Sequence, residues 1–366
     1  LKAGKSKLKN LGKLEAVEGN VTLIGSQVAD LGDLEVVGGN LDLKDSKITS
    51  LGKLKSVGKN IYLGRSKVTS LGNLETVGYL DLRNSQVESL GNLKSVRIDA
   101  SLRDSQVKSL GNLETVGRDL DLRDTQVKSL GKLKAVGGEL ELDNSQVTDL
   151  GNLETVGLDL DLEFTQVKSL GKLKYVGGVL YLRDSQVTDL GELKTVGASA
   201  RLDKSKVTDL GNLQTVDGNL DLRDSQVKNL GNLKYVGGNL DLRDSQVTSL
   251  GNLEIVGAYI KLQDSQVTSL GKLKTVVGDI LGDDELAKKF KDSQQQPAIR
   301  EQKADVSKIK EARSKLSKAK KNLKRKLGAA VDAGPLLNRL LAVNPTIVPE
   351  PVYDKYLEIL DMLSEN

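Results

Sequence analysis

The sequence predicts a solenoid of parallel β-strands, about thirteen coils of 20 residues, followed by an α-helical C-terminal extension. Three observations predict it: a 20-residue self-similarity, an apolar spacing that fits one coil per unit, and a change of composition after Gly282. LGNLETVGRDLDLRDTQVKS at 110–129 returns as LGNLKYVGGNLDLRDSQVTS at 230–249, and LRDSQV occurs verbatim from Leu102, Leu182, Leu222 and Leu242. The paired apolar residues run from Val21/Leu23, Leu41/Leu43 and Ile61/Leu63 to Ile260/Leu262, with one residue lost between Leu63 and Leu82. A fourteenth unit fades at Ile280, where Gly282 holds the second apolar place. Ahead of the first unit, Leu8, Leu11 and Leu14 keep the tail of a preceding repeat.

Within the unit that starts at Leu41, the apolar residues are Leu41, Leu43, Ile48, Leu51, Leu54 and Val57. The alternation Leu41-Asp42-Leu43 is a short strand with two inward side chains and one outward. Wider gaps follow, and Gly52 and Gly58 interrupt the returning segment, which argues against a helix there. Each unit therefore reads as a strand, a corner, an irregular or short 3₁₀ return, and a Gly-rich corner back. Parallel pairing at about 4.8 Å per coil makes the array a rod roughly 60 Å long. With aromatics at 3% of the chain, the interior must be built from Leu and Val. The 366 residues contain no Cys and no His, which excludes disulfides, thiol nucleophiles, Cys/His zinc sites and histidine-based triads. No apolar run approaches the roughly 20 residues that span a bilayer.

The Leu-x-Leu strand, with an aliphatic residue five places later, resembles the leucine-rich repeat LxxLxLxxNxL, in particular its short 20-residue bacterial form. VGGNLDL at 37–43 is also similar to the coils of receptor L-domains, and the resemblance covers about residues 8–282. It implies a leucine-rich-repeat-like solenoid. In the family the Asn after the strand forms a ladder to neighbouring coils. Here that position holds Ser26, Ser46, Ser66, Ser85, Ser105, Thr125, Ser145, Thr165 and so on to Ser265. The resemblance thus implies hydroxyls doing part of that work, donating to carbonyls and accepting from N–H groups. LGNL stands where the bacterial effector type has LPxL.

The side chain between each inward pair forms an outward column, mostly acidic, as Asp42, Asp81, Asp121, Glu141, Asp161, Asp221 and Asp241. Two residues on, a second column is mostly basic, as Lys44, Arg83, Arg103, Arg123, Arg183, Arg223 and Arg243. Diagonal pairing between the columns removes the repulsion of like charges one coil apart, a register and solubility device worth about 0–1 kcal/mol per exposed pair. The alternative is a charged protein-binding face, contacted where the columns are interrupted. Tyr is favoured in binding hot spots, so the candidate partner-binding residues are Tyr62, Phe164, Tyr181, Arg201, Tyr259 and Lys261. Phe164 replaces the Asp or Asn of most other coils. Neighbouring carboxylates such as Asp221 and Asp241 approach the spacing of a retaining glycosidase pair, but they recur along an open face with no sign of a pocket. GGNLDL lacks the third Gly of the calcium-binding nonapeptide repeat. No catalytic, cofactor-binding or metal residue is assigned, and no small-molecule substrate is expected.

After Gly282 the period vanishes, which sets the domains at 1–282 and 283–366. Asp283-Asp284-Glu285 leads into LAKKFKD, a short helix with acids in its first turn. A linker covers about 293–302, a basic helix 303–327, and short helices about 335–343 and 352–363. Residues 303–326 carry eleven Lys/Arg against two acids, a local net of +9, while residues 1–282 balance 37 against 37, so the whole +4 lies in the tail. Lys308, Arg313, Lys320, Lys321, Lys324 and Arg325 are the candidate docking cations of the basic helix. This helix suits packing on its own tail or capping the last coil, docking on a partner protein, or contact with a polyanion or membrane surface.

The expected function is a non-enzymatic protein–protein interaction scaffold presenting a solenoid face. Two alternatives stand beside it: a structural or linker subunit of a larger assembly docked through the C-terminal helices, and a polyanion- or membrane-surface adaptor working through 303–326.

Overall fold

A computed structural model describes residues 1–3 and 9–294 of the chain. One unit spans Leu1–Asp283, and a second begins at Asp284. The first unit is a parallel β-solenoid. Each Leu-x-Leu segment supplies a two-residue strand, from Val21–Thr22 through Leu41–Asp42 to Ile280–Leu281, and fourteen such strands form one sheet. Every residue pairs with its equivalent one coil on, as Leu220 with Leu240 and Asp221 with Asp241. The fading last unit is wound in as well, with Ile280 in register with Ile260.

Inside the coil that starts at Leu41, the apolar set closes completely: Leu41, Leu43, Ile48 and Leu54 are 0% exposed and Leu51 and Val57 1%. Each fully buried aliphatic side chain contributes about 1.5–3 kcal/mol relative to exposure. Close stacking sets a backbone demand too. A Cβ on Gly157 would lie 2.0 Å from the Gly137 carbonyl oxygen, so the corner preceding the strand has no room for one in that coil, although Arg97, Asp217 and Val277 hold the equivalent place elsewhere.

The return segment is more regular than its sequence suggests. It carries a second fourteen-stranded sheet, from Ala16–Val17 through Val36–Val37 to Thr275–Val276. A third side is joined by isolated parallel bridges, such as Asn10 to Asp30 and Ser129 to Asp149. Three hydrogen-bonded sides therefore replace the expected single strand with an irregular or 3₁₀ return. Once coils stack in register, each return N–H faces the carbonyl of its neighbour. Glu35 N donates to Glu15 O at 2.8 Å and Lys55 N to Glu35 O at 2.9 Å. Buried backbone groups demand such partners, and β-branched Val and Thr favour the extended conformation that supplies them.

The lost residue falls at Gly78–Tyr79, and the register resumes with Ile61 opposite Leu80. Across this shortened coil the Arg97 guanidinium donates to the Gly58 carbonyl, two coils back.

The expected hydroxyl ladder between coils does not form. Thr125 and Thr165 donate to Leu122 O at 2.7 Å and Leu162 O at 2.8 Å within their own coils. Ser85, Ser145 and Ser185 accept from the N–H two residues on, while Ser26, Ser46 and Ser225 have buried Oγ atoms without a hydrogen-bond partner. In this column the hydroxyls bond only within their own coil or find no partner. A ladder exists on another column, immediately before the Leu-x-Leu strand. Asn40 N donates to Asn20 Oδ1 at 2.8 Å, Val179 N to Asp159 Oδ1 at 2.7 Å, and Asn239 N to Asn219 Oδ1 at 2.8 Å.

The described part of the second unit is one helix, Asp284–Ser293, with Asp284 and Glu285 in its first turn and Lys291 in its last, as the helix dipole favours. The linker, the basic helix 303–327 and the two short helices expected after it lie outside the described residues, apart from the first two positions of the linker.

Replacing Asn219 by Ala removes the ladder acceptor for Asn239 N–H. The expected cost is about 1 kcal/mol in urea unfolding, with Asn219→Asp retaining most of the wild-type value. Equal losses in both variants would show that the ladder bond is not what matters there.

Candidate functional site

The outward surface of the Leu-x-Leu sheet is organised by an Asp-x-Arg clamp. Asp81 Oδ1 accepts from Arg83 N at 3.1 Å and Nε at 3.0 Å, and Oδ2 accepts from a terminal guanidinium nitrogen at 2.8 Å. The same bidentate contact joins Asp121 to Arg123, Asp221 to Arg223 and Asp241 to Arg243. The pairing expected between coils therefore runs first within each coil. Some of it does cross: Arg183 reaches Asp203 at 3.4 Å and Arg223 reaches Asp241 at 3.8 Å. Burial pushes the Asp241 carboxyl upward, but hydrogen bonds from Arg243 and the charges of Arg243 and Lys261 outweigh it and hold the group below its ordinary value.

In two consecutive coils an acid follows an acid: Asp143 and Glu163, where six other coils carry Arg, stand two residues after Glu141 and Asp161, whereas Asp203, the other acid of that column, follows Arg201. The side chains of Glu141, Asp143, Asp161 and Glu163 are half-buried. Arg123 pairs with both Asp121 and Glu141, and Arg183 turns to Asp184 and Asp203. Among the described residues no ion pair reaches Asp143, Asp161 or Glu163. Burial is the main reason that the carboxyls of Glu141, Asp161 and Glu163 are pushed up, reinforced by Asp121 at Glu141, by Asp143 at Asp161 and by Asp161 at Glu163. Three or more acids in a metal-holding arrangement do not occur among the described residues.

Phe164 follows directly. It occupies the left-handed turn position at φ 56°, filled in most coils by Asp or Asn, and is 60% exposed. One coil on, half-buried Tyr181 lies in register with Asp161 on one side and Arg201 on the other. The Arg201 guanidinium carbon sits 5.2 Å from the centre of the Tyr181 ring. Phe164, Tyr181 and Arg201 thus occupy three successive coils. Tyr62 stands six coils away, about 29 Å at the usual strand spacing. It packs at 5.8 Å against Tyr79, with Lys44 Nζ 4.7 Å from its ring centre, and accepts from Asn60 Nδ2 at 3.0 Å. Tyr259, 46% exposed, and Lys261, 3.5 Å from Asp241, lie three coils beyond Arg201. The six candidates therefore form three separate places. Lys308, Arg313, Lys320, Lys321, Lys324 and Arg325 lie outside the described residues.

The acidic pair of coils was not singled out by the sequence reading, although its signal is there: Asp143 and Glu163 break a column that is Arg at 83, 103, 123, 183, 223 and 243. Along the return, a different column alternates in sign, with Lys134 Nζ 2.8 Å from Glu114 and Lys174 Nζ 2.9 Å from Glu154.

A left-handed conformation costs a residue such as Phe about 1–2 kcal/mol, whereas Asn tolerates it. Phe164→Asn is expected to stabilise the chain by up to about 1 kcal/mol in urea unfolding; a destabilised variant would mean that the exposed ring packs favourably. The raised carboxyls give a pH signature. Their folded pKa values lie above the unfolded ones, so the stability they confer when protonated is complete below the unfolded range, near pH 4, and is lost as pH rises through the raised values. Asp161→Asn should therefore raise the urea midpoint at pH 7 more than at pH 3. The reverse order would contradict the burial assignment.

No family model, no curated protein and no solved structure matches the chain.

Proposed function

We propose that the chain is a non-enzymatic scaffold that binds protein through the outward face of its Leu-x-Leu sheet. The observation that carries this reading is Phe164, at 60% the most exposed large apolar side chain among the described residues, beside the Tyr181–Arg201 pair. A repeat array built for stability alone has every reason to place Asp or Asn at that turn. An aromatic ring held in a costly backbone conformation and turned to solvent is what a contact residue requires. The Leu-x-Leu strand with an aliphatic residue five places on supports placing these coils in the leucine-rich-repeat class. That class would supply the rigid, repetitive display surface the reading needs.

The test compares capture of native binding proteins by the full wild-type chain and by a Phe164→Ser, Tyr181→Ser variant whose circular dichroism is unchanged. At least tenfold weaker capture is expected, the size of a single hot-spot loss. Unchanged capture retires this face. Loss only on neutralising Lys308, Arg313, Lys320, Lys321, Lys324 and Arg325, with strong salt dependence, moves the function to the surface-adaptor reading.

A further inference from the structure

The acidic stretch next to Phe164 has an internal logic of its own. Elsewhere on this face the strand-end carboxylate meets a cation two residues on in its own coil, Lys44 at Asp42 and Arg at Asp81, Asp121, Asp221 and Asp241. In the coils of Glu141 and Asp161 that Arg is replaced by a second acid, and the neighbouring guanidiniums are already engaged, Arg123 by Asp121 and Glu141, Arg183 by Asp184 and Asp203. Glu141 shares Arg123 with Asp121, but among the described residues no ion pair reaches Asp143, Asp161 or Glu163; half-burying such carboxylates is unfavourable, and the array holds the remedy in its other coils without using it here.

We infer that the outward surface bearing Glu141, Asp143, Asp161, Glu163 and Phe164 is a docking surface for a segment of a partner protein with Lys or Arg side chains. The inference rests on the scaffold reading and adds the chemistry of the partner. Charge complementarity selects a cation-bearing occupant. Register sets Glu141 opposite Asp161 one coil on, about 4.8 Å away, so one cationic segment can meet acids of both coils. Phe164 selects Lys or Arg over a bare ion. The aliphatic stem of such a side chain lies on an exposed ring while its head reaches a carboxylate, and a guanidinium or ammonium is attracted to the ring face. A divalent ion lacks that apolar part, and no group of three acids is arranged to hold one among the described residues. Burial, with neighbouring acids adding to it, pushes the Glu141, Asp161 and Glu163 carboxyls up, so a cation brought to this face meets groups that gain from it.

The experiment uses the full chain and a fluorescent, end-blocked peptide containing two Lys-Ser-Lys-Leu units, with its Glu-Ser-Glu-Leu counterpart as a control. The variant Asp143→Arg, Glu163→Arg writes into both coils the residue found there in six others, so folding is preserved. A control pair, Glu18→Arg with Glu192→Arg, makes the same charge change at exposed acids off this face. Wild type and control pair are expected to bind the Lys peptide, more weakly as salt rises, and not the Glu peptide. The Arg variant should lose at least about tenfold in affinity, and Phe164→Asp should lose affinity too. Equal binding by the Arg variant and the control pair, or no binding by wild type, overturns the inference. So does stoichiometric displacement of the peptide by Ca²⁺, which would assign the face to a metal ion. If Phe164→Ser, Tyr181→Ser abolishes capture of native partners while the Arg variant captures them fully, the scaffold reading stands and the cationic-partner inference alone falls.

Discussion

The structure depends on the fact that no coil is dry until another lies against it. The inward side chains of one coil, such as Leu41, Leu43, Ile48 and Leu54, reach 0% exposure only because the coils on either side close over them. Everything else follows from meeting that condition fourteen times with nearly the same residues. Backbones must approach closely enough that Gly157 cannot carry a Cβ. All three sides of the coil become hydrogen-bonded, because stacked backbones in register present N–H groups to carbonyls whether or not the side chains favour strands. The surface inherits the same order, since any outward residue meets its equivalent at one strand spacing above and below.

That order is what makes small departures informative. In an irregular protein an Asp in place of an Arg alters one contact. Here it opens a gap in a column, and the added acids reinforce the burial that pushes the Asp161 and Glu163 carboxyls up. Asp143, Glu163 and Phe164 depart together, over two adjacent coils, while the interior beneath them, with Leu142 and Leu162 at 0%, is unchanged.

Coil number, strand position and the inward residue set were legible in the sequence, because each rests on spacing: Leu41/Leu43 and their equivalents recur at fixed distance, and a period of two or five is visible without coordinates. The helix start at Asp284 was legible from its acids for a similar reason. The second sheet was not. Val36–Val37 and Thr115–Val116 show no alternation, being only two residues long, and their extended state is imposed by the coils above and below. The ladder was placed at the Ser column because resemblance pointed there, yet position decides it: before the strand even Ser199 accepts from the next coil, as Asn219 does, and Ser225 after the strand does not. Of the candidate site, Phe164 and Tyr181 stood out as odd residues, whereas the acidic pair of coils did not, since a carboxylate among many carboxylates looks ordinary until its missing guanidinium is noticed.

The sign alternation along the return has a consequence for assembly. Near-identical coils invite an error in which one turn is looped out and its two neighbours stack directly, at no loss of aliphatic fit. With Glu114, Lys134, Glu154 and Lys174 in succession, such a skip would set Glu against Glu or Lys against Lys. From Lys55 to Lys174 the alternation therefore works as a parity check: it leaves correct winding favourable and marks omission of one turn with a repulsion that the hydrophobic interior could not detect.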